Sequence, residues 1–240
     1  MVIATPEWAD AGFGKTAALF MWNPENRSRP GLSGIPVNEI NAIDTLNPTN
    51  VLMVGDLDGA ALTSTQANQL KSFVSQGGRV LMLHPGQALV DLFPNQVAGY
   101  KSKEGEIVTM HIPESPVFSG IQPLDMAWFD RGDRRLPIAC SGVYQIVGRR
   151  DDTTALADQC DFHGYLQDPS EIIKYSGTPL LEIQIGRGCL IASEMNFASD
   201  GNDPISRRIF INIIKYLTAH GPNENVLQSA NQASNRLVHL

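Results

Sequence analysis

Nothing in this chain approaches the ~20 consecutive apolar residues that a membrane helix requires, so no spanning segment and no membrane partner are expected. Positive charge is also short: 18 lysines and arginines stand against 25 aspartates and glutamates, a net charge of −7. A binder of phosphate backbones would carry a basic stripe. Here the basic clusters, Arg131-Gly132-Asp133-Arg134-Arg135 and Arg149-Arg150, are mixed with aspartate and read as solvated loops. Nucleic acid is therefore excluded as a partner. Cysteine is scarce, and three residues cannot all pair internally. The spacing of Cys140, Cys160 and Cys189 matches no zinc signature. Cys140 in IAC and Cys189 in CLIA sit among apolar residues, where a free thiol behaves as a small core side chain. No metal and no cofactor are expected. The N-terminus lacks the basic segment and long apolar stretch of a signal peptide, and no internal repeat stands out.

What is present is ordinary for a soluble globular protein: 42% apolar and 18% charged residues over 240 positions, enough for one large α/β domain. The chain is organised around Val51–Gln87. Val51–Val54 and Val80–Leu83 are short unbroken apolar runs, the habit of strands buried on both faces of a parallel sheet. Between them Leu62, Ala67, Leu70, Phe73 and Val74 follow a helical period. Thr63 and Gln66 have the form of a capping box, and Gly77-Gly78 supplies a left-handed stop. In such a unit chemistry sits past the strand ends, which singles out Asp56, Asp58, His84 and Gln87.

Elsewhere the pattern predicts a short helix near Lys15–Met21 within a loop-rich segment, and a short strand within Ile35–Ile43. Gln87–Leu92 reads as a short helix, Gly105–Ile112 as a strand, and Pro113–Gly120 as a turn that tucks Val117 and Phe118 inward. Leu136–Val147 reads as two strands around Ser141-Gly142, Thr154–Ala157 as another, and Cys160–Tyr175 as irregular. LLEIQI, the turn Gly186-Arg187-Gly188 and CLIAS form a hairpin. Asp203 and Pro204 open a helix whose buried stripe is Ile205, Ile209, Phe210, Ile213 and Leu217. One domain is expected over residues 1–221, followed by a polar tail over 222–240.

Several motifs suggest chemistry. Ala9–Thr16 fits a permissive phosphate loop, with Lys15 for terminal phosphates and Thr16 for magnesium, so Gly14-Lys15-Thr16 supports a nucleotide-binding alternative. Against it, Pro6 interrupts the preceding strand, and Asn23-Pro24 stops the following helix after about two turns. Asp161-Phe162-His163 places ligand-type residues on one face of a strand. Trp128, Phe129, Asp130 and Tyr165 combine aromatic rings with a carboxylate, which suits a sugar face.

Met82-Leu83-His84-Pro85-Gly86 resembles the nucleophile elbow of the class I glutamine amidotransferase-like superfamily, G-x-C-x-G. The final glycine matches, but Met82 replaces the first and His84 stands at the cysteine position. The family's downstream His-Pro-Glu is also missing, since the chain reads Glu194-Met195-Asn196 there. Without a thiolate, amide hydrolysis through a thioester has no nucleophile. The stretches LTSTQANQLKSFVSQGGRVLML, HIPESPVFSGI, GTPLLEIQIGRGCLIASE and PISRRIFINIIKYL resemble triad-less members, the ThuA-like proteins and the C-terminal modules of some β-galactosidases and related glycoside hydrolases. The resemblance spans Leu46–Leu217. It implies a flavodoxin-like three-layer α/β sandwich with a mostly parallel central sheet and a small antiparallel addition from Leu136–Ala157. It also implies a non-catalytic role in assembly or sugar recognition. The partners would be a glycoside hydrolase catalytic domain, further copies of the chain, or carbohydrate. Ligand contacts would fall among Asp58, Gln87, Trp128, Asp130, His163 and Asn196. The enzymatic alternative is a sugar or ester hydrolase with His84 as base and Asp56 or Glu194 orienting it.

Overall fold

A computed structural model describes residues 19–22, 37–44, 46–55, 57, 61–105, 108–128, 139–148, 151–162, 173–197 and 204–219. The central strands are β1 (Leu19–Trp22), β2 (Asn38–Ile40), β3 (Val51–Val54) and β4 (Arg79–Leu83). Helix α1 (Ser64–Ser75) joins β3 to β4, and α2 (Gln87–Leu92) follows β4 directly. Then come β5 (Val97–Gly105), β6 (Val108–Met110), β7 (Cys140–Ile146), β8 (Thr153–Phe162), β9 (Ile173–Ile185), β10 (Gly188–Ser193) and α3 (Pro204–Ala219). All ten strands form one mixed sheet in the order β2-β1-β3-β4-β10-β9-β7-β5, with β8 on β9 and β6 on β8. From β2 to β10 the neighbours run parallel, and the pairings from β10 onward are antiparallel. The antiparallel part thus reaches beyond the Leu136–Ala157 addition anticipated, taking in β5, β6 and β9.

The parallel half forms where the sequence is most apolar. Every residue of β3, β4 and β10 is buried, so both faces are covered and no polar alternation survives. Alternate side chains serve opposite faces. Leu52, Val54, Val80 and Met82 pack with Leu70, Phe73 and Val74 of α1 and Leu89 of α2. Val51, Met53, Leu81 and Leu83 pack with Ile209, Phe210, Ile213 and Leu217 of α3. Helix α1 opens with the capping box foreseen: the Gln66 amide donates to Thr63 Oγ1, and the Thr63 amide donates to Gln66 Oε1. It ends at Gly77, whose φ of 112° is open to glycine and strained for other residues.

Helix α3 is held at its middle and at its C-terminal end by groups distant in sequence. Asn212 Nδ2 donates to the carbonyls of Val117 and Ser119, pinning the turn that buries Val117 and Phe118. At the C-terminal end the buried Arg79 donates from Nη1 to the carbonyls of Leu217 and Thr218, each at 3.1 Å. These carbonyls have no partner within their own helix, so the guanidinium acts as a cap. Arg79→Met should cost about 1.5–3 kcal/mol, the worth of hydrogen bonds from a charged donor, read as a lower urea midpoint.

Three sequence expectations are corrected. The helix drawn over Lys15–Met21 gives way to strand β1 at Leu19, because Leu19, Met21 and Trp22 are buried in the sheet between β2 and β3. Where two strands were expected over Leu136–Val147, the described residues form one, Cys140–Ile146, running straight through Ser141-Gly142. Cys160–Tyr175 is regular at both ends, where β8 finishes and β9 begins. Met1–Ala4, Gly14, Lys15, Thr16 and residues 220–240 lie outside the described residues. Among the described residues no helix is long and apolar enough to cross a membrane.

Candidate functional site

Strand β4 delivers His84 to the carboxyl end of the parallel sheet, and α2 starts three residues later. The bend between them is tight. His84 has φ 44°, and among the described residues it is the one non-glycine residue with positive φ. A left-handed histidine costs about 1–3 kcal/mol and persists only where its surroundings over-determine it. Gly86, at φ 55° and ψ −135°, occupies a region essentially reserved for glycine, which explains the residue match at this position of the elbow. The His84 amide donates to the Ser193 carbonyl, tying the bend to the end of β10.

The next residue on that strand end, Glu194, is the hub. Its side chain is 1% exposed, yet it is well supplied with donors. Oε1 accepts from the Gly86 amide at 2.8 Å and from the Tyr144 hydroxyl. Oε2 accepts from the Ser141 hydroxyl at 3.3 Å and lies 3.5 Å from the Tyr100 hydroxyl. A buried carboxylate is tolerable only with such pairing. Antiparallel register brings the donors together: Tyr100 of β5 faces Tyr144 of β7, their rings tilted at 5.4 Å. Ser141 lies three residues before Tyr144 on the same strand, and its amide donates to the Glu194 carbonyl. Burial first, then the Glu194 charge, pushes the Tyr144 phenol well above its ordinary range, so it stays a donor.

His84 completes the cluster. Its Nδ1 lies 2.9 Å from Ser141 Oγ and 3.7 Å from Glu194 Oε2, and its side chain is 21% exposed. A hydroxyl has one proton, so the relay His84 Nδ1–H to Ser141 Oγ–H to Glu194 Oε2 satisfies all three groups. The imidazole is therefore oriented through Nδ1. As an elbow for acyl transfer, however, the bend is doubly disabled. The attacking atom would come from a side chain that is here an imidazole. The oxyanion donor would be the backbone N–H of the residue after it, and Pro85 has none. The next N–H, of Gly86, is already taken by Glu194.

Of the sequence-predicted site residues, the structure unites His84 with Glu194. Gln87 lies on the exposed side of α2, where its Nε2 donates to Asp91, four residues on. Asn196 is buried, and its amide donates to the Ala139 carbonyl at the head of β7. Trp128 ends a 3₁₀ turn over Asp125–Trp128. Asp56, Asp58, Phe129, Asp130, His163 and Tyr165 lie outside the described residues. Sequence reasoning missed Tyr100, Ser141 and Tyr144. Neither described cysteine enters the bend. Cys140 and Cys189 are buried with the α3 cluster, whereas Tyr144 belongs to the α1 cluster.

The sequence matches no family model, and no curated protein matches it. Solved structures do match. The fold is similar to that of a ThuA-like protein. That protein, from Bacteroides uniformis ATCC 8492, aligns over 89% of this chain and 98% of its own, with a TM-score of 0.51 and 9% identity. Alpha-L-fucosidase isoenzyme 2 from Paenibacillus thiaminolyticus aligns at TM-score 0.52 and 13% identity, over 85% of this chain. The match occupies only 33% of the fucosidase, so this chain corresponds to one part of that larger protein. A third match, described as the mmIFT52 N-terminal domain, covers 85% of this chain and 98% of its own, with a TM-score of 0.50 and 7% identity. At these identities the likeness is one of fold, and a fold hosts many functions.

Proposed function

We propose that this chain is a non-catalytic, amidotransferase-like module that serves a carbohydrate-processing enzyme, in assembly or in sugar recognition. The observation that carries the reading is the elbow itself. It keeps the strained bend and the glycine of an acyl-transfer site, while His84 replaces the thiol, Pro85 removes the oxyanion donor, and Glu194 occupies the Gly86 N–H. The match to one third of an alpha-L-fucosidase supports the carbohydrate association, and the ThuA-like match supports a self-contained domain of this size. The reading carries with it a flavodoxin-like three-layer arrangement, one domain over residues 1–221, and a catalytic domain or further copies of the chain as partners.

Purified protein incubated with glutamine should release ammonia at the buffer rate. It should co-elute with a glycoside hydrolase catalytic domain from the same source, or self-associate, in size-exclusion chromatography. Glutamine turnover above background would overturn the reading.

One observation favours a second reading. His84 is oriented through Nδ1 by Ser141 and Glu194, as a general base is oriented in hydrolases. In that case His84 would activate water against a sugar or ester, and a turnover found in a substrate screen would vanish in His84→Ala.

A further inference from the structure

We propose that His84, Ser141 and Tyr100 form a binding subsite for a neutral, polyhydroxylated ligand, the hydroxyl-bearing face of a saccharide. The inference rests on the sugar-recognition form of the function proposed above, and it assigns that recognition to the disabled elbow rather than to Trp128 and Asp130.

The first argument is the strain at His84. Glycine at φ 44° would be free of the left-handed penalty, and the elbow already uses glycine two residues on. The hydrogen bonds that define the bend run through the backbone of His84 and Gly86, so they would survive without an imidazole. What the histidine adds is a ring held in one orientation by Ser141 at 2.9 Å and exposed over a fifth of its side chain. A strained, oriented, partly exposed polar group is the signature of a binding or catalytic position, and catalysis here lacks its nucleophile and oxyanion donor.

The second argument is the chemistry gathered around that ring. Ser141 is half-buried and brings a hydroxyl that both donates and accepts. Tyr100 is half-buried, with its ring leaning on Tyr144 and its hydroxyl aimed at Glu194. An aromatic face beside groups that donate and accept suits alternating C–H and O–H edges of a pyranose. An anionic ligand is disfavoured, because the Glu194 carboxylate lies 3.7 Å behind the imidazole and the chain carries a net charge of −7. A bound cation is disfavoured as well, because Glu194 already accepts from Gly86, Tyr144 and Ser141. Neutral hydroxyls meet neither objection.

The test uses the whole chain with L-fucose, D-galactose and D-mannose as neutral probes and D-glucuronate as the charged comparator. Binding is followed by saturation-transfer NMR, and His84 by its protection from diethylpyrocarbonate. At least one neutral sugar should bind and protect His84, while glucuronate binds at least tenfold more weakly. His84→Gly and Tyr100→Leu should each weaken binding at least tenfold, with His84→Gly folded, as its far-ultraviolet circular dichroism would show. Protection is measured on the unaltered protein, so the test survives a variant that fails to fold. Neutral sugar binding that leaves His84 reactive and both variants unaffected would overturn the subsite while sparing the sugar-recognition reading. Equal or tighter binding of glucuronate would overturn the claim of a neutral ligand. Absence of binding by every sugar would overturn both.

Discussion

Glu194→Ala should lower the melting temperature by on the order of 10 °C, the largest loss expected from any single substitution at the elbow. The carboxylate accepts from the Gly86 amide and the Tyr144 and Ser141 hydroxyls, and its side chain is 1% exposed. Truncation leaves these donors facing a dry gap. A buried donor without an acceptor costs about 1–3 kcal/mol, and breaking a buried charged cluster about 3–5 kcal/mol in all. In a domain of this size about 1 kcal/mol moves the midpoint by about 2–4 °C. The gap has the shape of the missing carboxyl group, which supplies a control. Acetate should bind there and restore part of the loss, adding about 2.7 kcal/mol at a hundredfold excess over its dissociation constant. Glu194→Gln should fall between the two proteins, because its carbonyl still serves Gly86 while its amide cannot accept from Ser141. Thermal melts followed by circular dichroism decide the matter. An unchanged midpoint in Glu194→Ala would mean that the carboxylate does not hold the elbow.

The elbow is also where sequence and structure can be compared most directly. His84 was legible because its spacing from Val80–Leu83 and Gly86 is local, and local spacing survives folding. Glu194 was legible for the same reason, as the residue that follows an apolar run. The capping box of α1 and the α3 stripe came through intact, since each is written within a single element. Tyr100, Ser141 and Tyr144 were not legible. They reach the site through the antiparallel pairing of β5 with β7, and register between strands some forty residues apart leaves no mark in either one. Strand β5 itself, VAGYKSKEG, was missed because it is an edge strand on β7 and its second half carries Lys101, Lys103 and Glu104, as an edge strand does. Strand β1 was mistaken for helix because four residues, LFMW, fit either period. On α2 the helical pitch sets Gln87 beside Asp91, and the pair is exposed.

Alkali should destabilise this protein progressively from pH ~9 upward. Burial, and then the Glu182 charge, push the Cys189 thiol from an ordinary value of 9.0 to about 12. Tyr144 is raised well above its ordinary 10.0, by burial first and then by Glu194. Tyr216 is raised as well, by burial first and then by Glu182, to which its hydroxyl donates at 2.9 Å; it is half-exposed, so its share is screened. In each case the unfolded chain gives up its proton at a lower pH than the folded one. The folded state then holds more protons, and stability falls as pH rises. The contribution is complete below pH 9, where both states are protonated, and for Cys189 is lost progressively between 9 and about 12. Cys189 takes about 1.4 kcal/mol per pH unit inside its window, so it should remove about 2.5 kcal/mol between pH ~9 and ~11, and Tyr144 steepens the decline above its ordinary 10.0. That is a large share of the ~5–15 kcal/mol typical of a folded domain. Urea midpoints measured across this range should fall steeply, and the phenolate absorbance should appear together with the loss of circular dichroism. Cys189→Ala should flatten the first part of the decline, since it removes the group that titrates earliest. A stability that stays level to pH ~11 would show that these groups ionise freely in the folded state. The packing of Tyr144 against Glu194, and with it the buried elbow, would then be wrong.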